Sequence, residues 1–277
     1  MSSVTKKMMM GADTGPSVKT IVNSIVFSPS GKEALGKQFG SACDNRRIWT
    51  ASIWYRQGAD NSAVLLGCSS NRAAGGNSHD HFYTYLNKLY YQSYDYSGGG
   101  TKINLITAAN TTLFGANTGW HHFHAFMDTT QSTSTDRVKI YIDGTQLTSF
   151  TTATYPPQNA NMFPLTSISN SSNFAGGKNL TSYIGNGYTS INYTTYGFTG
   201  NLADVNVVDG IALPVDTFAA DIGGTWTPLE YTGSYGSNGF NLNMANGAFG
   251  TDSSGNGNNF TSVNIASGDV SSNVPPA

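Results

Sequence analysis

The sequence predicts an all-β chain folded as an antiparallel β-sandwich (jelly roll) behind a short N-terminal arm, and three observations carry that expectation. Only 11% of its 277 residues are charged, whereas globular domains ordinarily carry about a quarter and long helices are built largely from Ala, Glu, Lys, Leu and Arg. Apolar and polar residues alternate with a period of two through many short segments, as half-buried strands require. Gly, Asn, Asp and Ser separate those segments at hairpin spacing, with no long helical pattern between them, which favours antiparallel sheets over βαβ units.

Each strand candidate follows from its own pattern. In residues 47–55, Trp49, Ala51, Ile53 and Tyr55 point one way and Ile48, Thr50, Ser52 and Trp54 the other. Both sets are bulky, as in a central strand. Residues 120–127 divide into Trp120, His122, His124 and Phe126 on one face and His121, Phe123, Ala125 and Met127 on the other. Residues 137–150 place Val138, Ile140 and Ile142 inward and Arg137, Lys139 and Tyr141 outward. They then turn at Asp143-Gly144, where glycine tolerates positive φ. Further candidates are 19–27, 63–68, 82–86, 102–107, 182–185, 198–208, 239–244 and 259–265, and only 214–220, opening on a proline that a first helical turn accepts, reads as a short helix. The expected organisation is an arm over 1–17, a sandwich over 18–265 and a C-terminal tail over 266–277. The arm holds Lys6, Lys7 and Met8 to Met10 and is too short to bury a core of its own.

Composition excludes several roles. Fourteen basic against sixteen acidic residues give a net charge of −2, so no general attraction to nucleic acid or anionic lipid is expected. No run of about 20 apolar residues exists for membrane insertion, and the first residues lack the apolar stretch of a secretory leader. The charge is uneven: residues 1–178 carry +5 and residues 179–277 carry −7, a polarity that suits either contacts between subunits or drift among solvated faces. Cys43 and Cys68 are too few for a disulfide framework and are expected as buried free thiols. Heptads, collagen triplets and short-strand repeats that build fibrous shafts are lacking.

Seven stretches, in order, resemble one family: NRRIWTASIW (45–54), GWHHFHAFMDTTQ (119–131), DRVKIYIDGTQLTSF (136–150), YPPQNA (155–160), GFTGNLADVNVVDG (197–210), YTGSYGSNGF (231–240) and GTDSSGNGNNF (250–260). Together they resemble the concanavalin A-like, laminin-G-like lectin modules of tailed-bacteriophage virion proteins, particularly those of marine and cyanobacterial phages. In many laminin-G-like modules a DSSGNGN stretch opens the domain. Here it comes near the end, after the strand-like 239–244, and is expected to close the sandwich.

That resemblance implies a non-enzymatic virion structural protein, a lectin-like short-fibre or receptor-binding component that adheres to host surface polysaccharide. A capsid or tail decoration protein without sugar binding is the alternative, and a glycan hydrolase a remote one. The expected location is the virion surface, after assembly in the host cytoplasm. Partners would be other virion proteins, met through the arm or a sandwich face, and further copies of the chain in a homo-oligomer.

The residues that could carry chemistry are few. Glycoside cleavage needs two carboxyl groups held about 5–10 Å apart. The only glutamates are Glu33 and Glu230, and neither they nor the aspartates form the E-x-D-x-x-E arrangement of sandwich-fold glucanases, so no catalytic residue is assigned. Two histidine clusters, His79/His81 and His121/His122/His124, hold the i, i+2 spacing that puts imidazoles on one strand face, which suits either zinc or packing. Asp252, Asn256 and Asn258 lie in a glycine-broken loop that suits either Ca²⁺, a hard cation wanting 6–8 oxygens, or turn chemistry without metal. Six of the fifteen tyrosines fall within residues 83–96. Tyr90, Tyr91, Tyr94 and Tyr96, with Tyr188 and Tyr193 from a second cluster, suit either glycan binding or a division in which alternate tyrosines pack into the sandwich and the others contact neighbouring subunits. A tyrosine ring offers a rigid apolar face and a hydroxyl at low entropic cost.

Overall fold

The structure, a computed structural model, describes residues 17–28, 33–40, 43–58, 63–70, 78–95, 99–162, 180–185, 197–245 and 247–276. In chain order the strands are β1 (Ser24–Phe27), β2 (Ala34–Lys37), β3 (Ile48–Gln57), β4 (Ala63–Ser70), β5 (His79–Tyr85), β6 (Lys88–Asp95), β7 (Gly100–Thr107), β8 (His121–Asp128) and β9 (Val138–Ile142). They continue with β10 (Thr145–Gln146), β11 (Phe150–Thr154), β12 (Leu180–Ile184), β13 (Gly200–Asp209), β14 (Ala219–Ile222), β15 (Thr225–Pro228), β16 (Phe240–Leu242), β17 (Thr261–Val263) and β18 (Val270–Ser271). The first sheet runs β10-β9-β8-β3-β13-β1-β18, with β16 also on β13; the second runs β11-β7-β6-β5-β4-β12-β2-β17. All pairings are antiparallel, so the two-sheet antiparallel sandwich is the observed fold.

The core lies between the sheets. Trp49, Ile53, Phe123, Ile140 and Leu202 from the first sheet meet Leu66, Phe82, Tyr91, Ile103 and Leu105 from the second, each at most 2% exposed. Phe82 stacks on Tyr91 with centroids 3.9 Å apart, and Trp49 meets Phe82 edge-on at 6.0 Å. Burial of such rings is worth about 25 cal/mol per Å² of apolar surface. The assignment of Trp49, Ala51, Ile53 and Tyr55 to one face holds, since all four enter this core.

Bulk on the other face of that strand has a cause as well. A third layer covers the outer side of the first sheet: Trp54 and Ala203 pack with Ile21 and Ala219, and Val208 packs with Phe218 and Tyr235. The layer consists of the N-terminal segment 17–22, the hairpin β14–β15 and the loops between β13 and β16. Here the helix expected over 214–220 is replaced by a 3-10 turn at Val215–Thr217 followed by β14. Ala219 and Trp226 must both reach the sheet below, and a hairpin lays them there. A short helix at Thr111–Phe114, unexpected from the sequence, is capped by Asn110, whose side-chain oxygen accepts from the backbone of Thr112 and Leu113.

The DG turn behaves as expected: Asp143 and Gly144, at φ 47° and 77°, join β9 to β10. Ordered structure continues past residue 265, for Val270–Ser271 pairs with β1 and Val274 packs against the cluster of Ile21, Trp54, Ala203 and Ala219. Residues 1–16 of the expected arm lie outside the described residues. Cys43 is half-buried, Cys68 is buried, and neither is in a disulfide.

Candidate binding face

The inner face of the second sheet is core, and its outer face carries the aromatic residues. The turn from β5 to β6 uses Leu86 and Asn87 in left-handed backbone, φ 49° and 55°, as a two-residue hairpin requires. The tyrosine-rich segment is therefore a hairpin whose successive side chains alternate between the two faces. Tyr83 pairs with Tyr90, His81 with Gln92 and His79 with Tyr94 across the ladder. Tyr83 and Tyr90 stack with centroids 4.7 Å apart and an interplanar angle of 12°, Tyr85 approaches Tyr90 at 6.3 Å, and His79 stacks on Tyr94 at 5.9 Å. These rings are half-buried, except Tyr85, which is exposed.

A row of hydrogen-bonding groups runs beside the rings. The Tyr83 hydroxyl donates to Gln92 Oε1 at 2.6 Å, and Gln92 Nε2 donates to Asn104 Oδ1 at 3.1 Å. His81 Nε2 bonds the Tyr183 hydroxyl, and burial together with neighbouring His79 pushes the His81 pKa well down, keeping that imidazole neutral. Burial, with Tyr85 nearby, raises the Tyr90 pKa, so its hydroxyl remains a donor. The result is a flat strip of apolar ring faces edged by fixed amides and a neutral imidazole, all on one side of a three-stranded ribbon.

Of the expected glycan residues, Tyr90 and Tyr94 lie on this strip. Tyr91 does not: it is fully buried, stacks on Phe82 and donates to the buried Asp80 carboxyl at 3.3 Å. Period-two alternation forces this, since adjacent Tyr90 and Tyr91 cannot share a face, and a ring enclosed in the core cannot stack on a ligand. Tyr96, Tyr188 and Tyr193 lie outside the described residues. His79, His81, Tyr83, Gln92 and Asn104 were missed as members of the strip. The signal that would have found them is the cross-strand pairing that follows once Leu86-Asn87 is read as the turn.

The expected cation loop is held by its own hydrogen bonds. Asp252 Oδ1 accepts from the backbone N–H of Asn241 and Ser254, both at 2.9 Å; Oδ2 accepts from Ser254 Oγ at 2.9 Å and the Asn258 N–H at 2.8 Å. The Asn256 amide nitrogen donates to the carbonyls of Gly236 and Gly239, and that of Asn258 to those of Ser237 and Gly239. Two donors on each carboxylate oxygen, and amides turned nitrogen-first toward a neighbouring turn, do not fit Ca²⁺, which needs converging oxygens. Among the described residues no group of three or more His, Cys, Asp or Glu side chains is placed to hold a metal. The two histidine clusters do not meet, because His79 and His81 face outward from the second sheet and His122 and His124 outward from the first. His122 is a packing residue: Trp226 Nε1 donates to its Nδ1 at 3.1 Å, and its Nε2 lies 2.8 Å from Ser52 Oγ. Glu33 accepts from the backbone and hydroxyl of Ser28 beside β2, while Glu230 is exposed over the other sheet.

No protein-family model matches the chain, and no characterised protein matches it in sequence. Solved structures do share its fold. A Bacteroides ovatus protein described as a "putative carbohydrate binding protein" superposes with a TM-score of 0.55 at 13% identity, over 93% of this chain and 62% of that one. A heptameric SAP-like pentraxin of Limulus polyphemus gives 0.44 at 13% identity, over 71% and 80% of the two chains. Mouse laminin α1 domains LG4-5 give 0.43 at 15% identity, over 76% and 47%. The chain thus spans under two thirds of the Bacteroides and laminin structures. At 13% identity the likeness to the Bacteroides structure is one of fold, the two-layer antiparallel sandwich, and none of these three structures is described as a phage protein.

Proposed function

We propose that the chain is a non-catalytic glycan-adhesion module, and that the outer strip of the second sheet is its recognition face. The observation that carries the reading is the half-exposed stack of Tyr83 on Tyr90, edged by Gln92, Asn104 and His81. Sugar rings present C–H faces that pack on aromatic rings, and hydroxyls that exchange hydrogen bonds with amides and neutral imidazole. The carbohydrate-binding description of the Bacteroides structure supports the same reading. A non-catalytic role is supported by the placement of the two glutamates in different parts of the fold, Glu33 just before β2 and Glu230 just after β15.

The virion setting rests on the sequence resemblance. In it the module attaches through the arm that precedes Ser17 or through a sandwich face, and copies assembled by symmetry raise a weak single-site affinity by multivalency. A glycan array with the purified chain tests the recognition face, followed by titration of the best glycan into Tyr90→Ala. Expected are binding in the native chain and at least tenfold weaker binding in the variant, about 1.4 kcal/mol, with stability little altered because the ring is already half-exposed. Equal affinity in the variant would place recognition elsewhere.

A decoration or cement protein is the second reading, favoured by the absence of any shaft-forming repeat from the sequence. Failure to bind any glycan, together with cryo-EM localisation on the capsid lattice, would select it.

A further inference from the structure

A second recess lies on the opposite side of the molecule. Strand β13 is paired on one edge by β3; on the other, β1 covers residues 200–202 and β16 covers 205–207, leaving no strand beside 203–204. At this gap the strand bulges, and Asp204 adopts left-handed backbone at φ 45°. The N-terminal segment and the loops at 230–235, 243–245 and 253–254 wall the gap into a cavity of about 460 Å³, within the usual range for small-ligand sites.

Its floor is a buried polar cluster with unused capacity. Lys19 Nζ bonds Asp204 Oδ1 at 2.7 Å, one bond from a group that has three N–H donors. Asn241, 5% exposed, donates from its amide nitrogen to Asp204 Oδ1 at 2.9 Å and Asn206 Oδ1 at 2.6 Å. Among the described residues its amide oxygen accepts no hydrogen bond, and it is not sealed from solvent. An acceptor open to solvent is free to take a ligand hydroxyl in place of water. An ammonium donor and an amide acceptor therefore open onto one cavity, with Tyr231 on its wall and exposed Glu230 at its rim.

We propose that this notch is a second binding site, for a neutral, hydroxyl-bearing ring such as the terminal residue of a glycan. Two adjacent hydroxyls donate to Asn241 and accept from Lys19, while the C–H face rests on Tyr231. Anions are disfavoured because Asp204 and Glu230 outweigh Lys19, and apolar ligands because they would strand the amide and ammonium without partners. The site uses no residue of the tyrosine strip and stands independently of it.

The test is amide NMR of the full chain titrated with glucose, galactose, mannose and N-acetylglucosamine, in the native protein, in Thr20→Trp and in Tyr90→Ala. Thr20 is exposed on the wall of the notch, and Trp there plugs it. Asn243→Trp, exposed on another wall, serves the same end should the first variant not fold. Expected are saturable shifts at Lys19, Thr20, Tyr231 and Asn241 for at least one sugar, weakened at least tenfold by the plug and within twofold of native in Tyr90→Ala. Absence of such shifts with all four sugars, or shifts indifferent to the plug, overturns the assignment. Shifts confined to Tyr90 and Tyr94 overturn it while leaving the tyrosine strip standing, and shifts confined to the notch do the reverse.

Discussion

His122 and His124 show what burial does to a titratable side chain that is used for packing. The Trp226 indole can only donate, so His122 Nδ1 must be unprotonated, and a proton there would break that bond. Burial, with His124 nearby, pushes the His122 pKa well down; burial also lowers that of His124 to about 4, against the opposing pull of the Leu213 carbonyl. The unfolded chain takes up these protons near pH 6.5 and the folded chain does not, so stability is full above pH 6.5 and is lost as pH falls toward 4. For His124 alone the loss by pH 4 is roughly 3 kcal/mol. Melting temperatures across that interval should fall, and His124→Phe should flatten the decline; an unchanged slope in that variant would locate the acid sensitivity elsewhere. Asp80 carries the opposite sign. Its buried carboxyl accepts from Tyr91, and burial raises its pKa well above the usual carboxylate range. Stability from this group is present below about pH 4 and is lost as pH rises toward its folded pKa. Asp80→Asn should therefore match the native chain in acid and exceed its denaturation midpoint at pH 8. Gly144 is constrained twice: its φ is 77°, and a Cβ there would lie 2.7 Å from the Trp226 ring. Gly144→Ala should cost about 1–3 kcal/mol in denaturant unfolding.

At the scale of the element, legibility depended on how plainly the period-two pattern was punctuated. Val138, Ile140 and Ile142 followed by Asp143-Gly144 announce both strand and turn, and the structure has both. Strand β6 announces neither. Adjacent Tyr90 and Tyr91 blur the alternation, and the turn before it uses Leu86 and Asn87 in a conformation for which glycine is the usual signal. Tyrosine density and an alternation of packed and outward rings were thus visible in the sequence, but which tyrosine falls on which face was not. The Asp204 bulge is less legible still, because an aspartate amid apolar strand residues says nothing about where a neighbouring strand stops. The segment 252–258 was readable as turn chemistry and serves as such, its one carboxylate tying four donors and its two asparagines clasping the 236–239 turn. Adding Ca²⁺ or a chelator should leave the melting temperature unchanged, whereas Asp252→Ala should lower it by several degrees, about 1–3 kcal/mol for donors left unpaired. A calcium-dependent rise in the native chain would contradict this account.

For the molecule as a whole, the two outer faces are unlike. One sheet shows its aromatic strip to solvent, while the other lies beneath a third layer that the N-terminal segment helps to build. The acidic excess of residues 179–277 is only partly a surface property. Asp204, Asp209 and Asp252 are buried in hydrogen bonds, leaving Asp216, Asp221 and Glu230 exposed and Asp269 half-buried. Fold class was legible because bulky apolar residues fall on both faces of 47–55, as a strand covered on both sides requires. The third layer was not, since its hairpin and 3-10 turn are short and irregular. The N-terminal segment has a mechanical consequence. A pull on the chain ahead of Ser17 meets the Glu230 N–H bond to the Ser17 carbonyl, then the Lys19 N–H bond to Pro228, then the Lys19 ammonium on Asp204. Loaded one after another, these fasteners unzip at low force long before the paired sheets shear, so the tether yields first and the aromatic strip keeps its shape under tension.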